Sequence, residues 1–98
     1  MPEFSTPKKV KKFDKKFSHE EIIRSIRFSI ASEFEAIQIY EQIKESVDNE
    51  HVQTVLDEII GDEKEHVGNF LHLMKLLTPT EIEHYDEGEK EAKKLLEK

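Results

Sequence analysis

The chain has 98 residues, with no cysteine, no tryptophan, three glycines and three prolines. Without thiols it can form neither disulfides nor thiolate metal sites, so any metal it binds must rest on oxygen and nitrogen ligands. No apolar run approaches the roughly 20 residues of a membrane span, and no secretory apolar region appears. The expectation is a soluble, cytoplasmic protein with no membrane contact. No segment carries the strict alternation of a strand, which leaves an all-α fold. A chain this short makes one small domain with a modest core, and such domains often finish folding by associating with copies of themselves.

Charge is unevenly distributed. Residues 1–17 hold six lysines against Glu3 and Asp14, whereas residues 18–98 hold nine basic and twenty acidic side chains, for a total of −7. The acidic body attracts cations and disfavours nucleic acid. "MPEFSTPKKVKKFDKKF" reads as a basic, flexible N-terminal tail, and 18–98 as the helical domain.

The helical domain opens on "FSHEEI", in which Ser18 and Glu21 have the spacing of a capping box. Ile23, Ile26, Ile30, Ile37 and Tyr40 follow at helical spacing, and the pattern runs to about Val47. "SVDNE" is a polar turn with Asp48 or Asn49 as the next cap. A second helix is predicted from about Glu50 to Leu77, its stripe being Val52, Val55, Leu56, Ile59, Glu63, His66, Phe70, Leu73 and Leu77. Gly68 within it is explained by close approach of another helix. In "TPTE", Thr78, Pro79 and Glu81 predict a second capping box and a short third helix, which Gly88 should break or kink. The expected architecture is a long antiparallel two-helix hairpin plus a short C-terminal helix.

Polar residues interrupt these stripes at Glu33, Glu63 and His66. An unpaired buried carboxylate costs several kcal/mol, so such a group normally has a cation or a proton to satisfy it. Glu63 and His66 are three apart and share a helix face. Asp48, at the turn, lies fifteen residues from both Glu33 and Glu63. At 1.5 Å per residue each is roughly 22 Å from the turn, so an antiparallel hairpin brings them level. Two carboxylates and an imidazole suit iron, with manganese or zinc as substitutes. Di-iron bundles take one Glu from each of two helices and a Glu-x-x-His from each of the other two. This chain carries half of that set, and a homodimer would supply the whole of it and complete a four-helix bundle.

At this point "ASEFEAIQIYEQI" followed by "DEKEHVGNFLHLMKLL" resembles the encapsulated ferritins, half-length ferritin-like proteins associated with encapsulin shells; rubrerythrins are more distant likenesses. The resemblance implies a half-ferritin domain that acts as a ferroxidase, with Glu33, Glu63 and His66 as metal ligands at a di-iron centre between two subunits. It implies Tyr40 beside that centre, a larger ring such as a decamer, and residence inside an encapsulin nanocompartment that stores the oxidised iron. Family members often place an aromatic residue where Ile39 stands here. Of the acidic pair that flanks the first ligand in some members as a secondary metal site, Glu35 is kept and Ser32 replaces the other. A different class of function also accommodates these residues: a non-enzymatic helical adaptor in which they form buried polar pairs or hold a structural metal. A peroxide-reducing role would need electrons from a separate protein. Tyr40 is either a packed core tyrosine or a donor that orients a ligand carboxylate. The histidines at 19, 51, 72 and 84 are expected to be ordinary surface or packed residues.

Overall fold

The computed structural model describes residues 16–97, so nearly all of the basic tail lies outside the described residues. The chain forms α1 (His19–Glu45), α2 (Glu50–Leu77) and α3 (Pro79–Leu96), with no strand among the described residues.

Local chemistry sets most of the boundaries. The Ser18 hydroxyl accepts the Glu21 N–H at 3.1 Å, and the Glu21 carboxylate accepts the Ser18 N–H at 2.8 Å, so the capping box forms. α1 ends two residues short of Val47, at Glu45, with the Ser46 N–H on the Ile43 carbonyl. Asn49, rather than Asp48, caps α2: its side-chain oxygen accepts the His51 and Val52 N–H groups at 2.9 and 3.2 Å. The Gln53 amide donates to the Val47 carbonyl at 2.7 Å, and Lys44 pairs with Asp57, which together hold the turn.

Several local expectations are not met. Thr78 sits at φ −146°, ψ 69° and its side chain makes no cap hydrogen bond. The second capping box is absent because the Glu81 carboxylate is engaged by Arg27 of α1 instead. Gly88 does not break α3, which runs on to Leu96: a glycine costs a helix about 1 kcal/mol, which its neighbours can absorb. Gly68 is not a close-approach site within the chain either, since a Cβ there would meet open space.

The packing of the hairpin also differs from the expected stripe. On α2 the buried residues are Ile60, Val67 and Met74, which with Ile23 and Ile37 of α1 make up the buried apolar set among the described residues. Ile30 and Tyr40 pack against the Ile37, Ile60 and Val67 cluster. Of the expected stripe, Val52, Val55 and Leu73 stand 38, 58 and 40% exposed. At 100° per residue, the residues of that stripe other than Leu56 centre about 80° around the helix from the Ile60–Val67–Met74 line. The apolar sector of α2 is therefore wider than one contact. One edge seals the hairpin, the other, which carries Val55, His66 and Leu73, faces outward, and the partly covered Glu63 lies between them.

Candidate metal centre

Glu33 comes from the middle of α1, Glu63 and His66 from the middle of α2, and the antiparallel register brings them level. Each offers a ligand atom, and these atoms all lie within 4.8 Å of one another. His66 Nδ1 is 3.3 Å from a Glu33 carboxylate oxygen and 3.8 Å from one of Glu63. The carboxylates are partly covered, at 20 and 19% side-chain exposure, whereas the His66 ring is 51% exposed. Within one chain the site is thus a half-open groove.

The electrostatics show what the cluster lacks. Glu63 is held above the ordinary carboxylate range, first by a hydrogen bond shared with Glu33, then by partial burial and by the Glu33 charge, with the His66 charge acting in the opposite direction. Two carboxylates held this close disfavour each other's ionisation. A divalent cation would relieve this, because both groups could then ionise and the imidazole would add a nitrogen donor. The oxygen-rich donor set with one imidazole fits iron, manganese or zinc.

A groove of about 400 Å³ opens beside the cluster, lined by Ser32, Glu33, Glu35, Ala36, Ile39, Tyr40 and Glu63. Tyr40 therefore borders the site and packs on the core, but it makes no hydrogen bond with Glu33 or Glu63. Glu35 is exposed at the groove wall. His51, His72 and His84 stand outside the cluster, and the His19 ring bonds the Leu77 carbonyl at 2.8 Å. Among the described residues no other group of three or more carboxylates and imidazoles converges in this way.

Sequence reasoning missed Arg27. It reaches from α1 to Glu81 on α3, and Tyr85 donates to the same carboxylate. That pairing depends on the course of α3, which leaves no spacing signal in the sequence.

Comparison with known proteins agrees with this geometry. The rubrerythrin family profile matches residues 25–98. A ferritin-like–encapsulin shell fusion protein of Pyrococcus furiosus is 34% identical over 82 residues, covering 84% of this chain and 24% of that protein. The encapsulin nanocompartment cargo protein EncC of Myxococcus xanthus is 33% identical over 74 residues, covering 76% of this chain and 57% of that one. The chain thus spans about a quarter and a little over half of the length of these relatives. The crystal structure of the encapsulated ferritin domain from Pyrococcus furiosus superposes with a TM-score of 0.83 at 32% identity, covering 92% of this chain and 91% of that one. A cysteine-free helical hairpin with a carboxylate–histidine cluster at mid-height thus agrees in profile, sequence and fold, and the chain belongs to the rubrerythrin family of ferritin-like proteins.

Proposed function

We propose that this protein is a ferroxidase whose di-iron site is completed by a second copy of the chain. The observation that carries the reading is the convergence of Glu33, Glu63 and His66 within 4.8 Å in a groove open on one side. A single chain offers fewer donors than a pair of metal ions requires. Two chains related by a two-fold axis would offer the four carboxylates and two imidazoles of a di-iron bundle.

The surface around the groove supports the same partner. Val52, Val55 and Leu73 lie on the His66 side of α2 and are exposed in one chain. Across the groove, α1 presents Ser32 and Ala36. Small side chains there would let the partner's helices approach closely, and closure would exclude water from the ligands.

In this reading ferrous iron is the substrate. The glutamates bind it and favour the ferric product as positive charge builds, and His66 contributes its Nδ1 or Nε2 lone pair. Two ferrous ions release one electron each, and dioxygen takes both with two protons and leaves as hydrogen peroxide. Tyr40, at the groove wall, would orient a ligand carboxylate once the groove closes, and Glu35 would attract incoming cations. Because relatives are an encapsulin shell fusion and an encapsulin cargo protein, the proposed partner beyond the homodimer is an encapsulin shell. A ring such as a decamer inside that shell would release ferric iron for storage there. Residues 1–17 would be a tail outside the catalytic domain.

The test is an anaerobic ferrous titration with measurement of oligomer mass, on the wild type and Glu63→Ala. The expected result is about one iron per chain in dimers or larger rings, lost in the variant, followed by rapid oxidation when air is admitted. No uptake by the wild type, or equal uptake by the variant, refutes the shared site.

A further inference from the structure

None of the residues of α3 is buried, and Tyr85, Leu95 and Leu96 are 49, 68 and 86% exposed. Most helices in proteins draw their stability from tertiary packing of an apolar face. Only Glu81 and Ile82 of α3 are partly covered, so a buried apolar face does not set its course alone.

α1 offers α3 a polar anchor. Arg27 Nε donates to one Glu81 oxygen at 3.1 Å and its Nη2 donates to the other, so the guanidinium grips the carboxylate with two prongs. The Tyr85 hydroxyl, one turn further along α3, donates to the oxygen that Nε holds. A planar two-pronged pair fixes direction as well as distance, which a lysine in the same place would not do. With Glu81 in its first turn and Tyr85 in its second, α3 is held close to its origin while its distal half extends away.

The joint is equally local. Thr78 alone separates α2 from α3 and has non-helical dihedrals, so rotation there would swing the whole helix. On the α2 side, the His19 ring holds the Leu77 carbonyl at 2.8 Å. That bond anchors the end of α2 to the start of α1 and confines motion to the far side of Thr78. Arg27 is half exposed and Glu81 retains some exposure, so the pair is hydrated and can open without unfolding a core.

We propose that Arg27, Glu81 and Tyr85 form a latch across a one-residue hinge at Thr78. α3 is then an arm with a latched direction and a set of released ones. The direction decides where exposed Leu95 and Leu96 are presented, so contacts made through α3 depend on the latch. The metal-site reading is not needed for this.

Because the chain lacks cysteine, Glu58→Cys and Glu91→Cys give a clean labelling pair at exposed positions of α2 and α3. Single-molecule energy transfer between dyes there, with labelled chains diluted into excess unlabelled protein, reads the angle of the arm. The latch predicts one narrow population in the labelled parent. Adding Arg27→Gln or Glu81→Gln should broaden it to the same extent, and combining them should add nothing, because each removes the same contact. Ferrous uptake should be unchanged in both. An unchanged distribution in either variant, or broadening that sums in the double variant, overturns the latch. So does loss of hairpin helicity in the variants, which would make the pair part of the fold rather than a closure upon it.

Discussion

Replacing Glu63 by glutamine should have opposite effects on the metal-free and metal-loaded protein. The side chain keeps its shape while losing its charge, so packing is conserved. In the metal-free chain Glu63 faces Glu33 within the 4.8 Å cluster, and its pKa is raised by that neighbour. Two unit charges at that separation repel by about 3 kcal/mol at an effective dielectric of about 20, and water on the open side of the groove cuts this to about 1 kcal/mol. A carboxyl with a raised folded pKa contributes stability that is present below its unfolded value and is lost as pH rises through the folded one. The metal-free wild type should therefore lose stability as pH rises above the ordinary carboxylate range, while Glu63→Gln should not. At neutral pH the variant should be more stable by about 1 kcal/mol in urea denaturation. Ferrous or zinc ions should reverse the order: at a hundredfold excess over the dissociation constant, binding stabilises the wild type by about 2.7 kcal/mol, and the variant should gain little. Denaturation curves at pH 5 and 7.5, with and without metal under anaerobic conditions, give the comparison. A variant less stable than wild type without metal, or equally stabilised with it, would show that the carboxylates are not a strained cation site.

Other expectations concern separate parts of the fold. Gly68→Ala should stabilise the isolated chain by about 0.5–1 kcal/mol in thermal or urea unfolding, since the added Cβ meets open space; destabilisation would mean that another helix packs there. Glu81 is held at about 2 by Arg27, then by Tyr85. Its contribution should be intact above the ordinary carboxylate range and fade as pH falls through that range towards 2, so the acid sensitivity of α3 amide exchange should diminish in Glu81→Gln. Val55→Lys, at a 58% exposed position on the outward face of α2, should change unfolding of the single chain by less than about 0.5 kcal/mol. The same change should abolish dimers in sedimentation; retained dimers would place the partner on another face.

Features that depend on near neighbours were legible in the residues themselves. The Ser18–Glu21 box, the Glu50 start of α2 and its end at Leu77 are decided within a few residues, by capping groups and helical periodicity. The level meeting of Glu33 with Glu63 and His66 follows from equal spacing about the turn, because rise per residue is constant in both helices. Only the tertiary structure decided which edge of a wide apolar sector seals the hairpin. Periodicity identifies a sector but not the direction of its neighbour, so Ile60 and Val67 are buried where Val55 and Leu73 were expected. Only the tertiary structure assigned Glu81 to Arg27 rather than to a cap, because 54 residues separate the partners and their meeting depends on the path of α3. The convergence of Glu33, Glu63 and His66 was legible because it follows from regular spacing about one turn; the Arg27–Glu81 contact was not, because it exists only once three helices have taken their places.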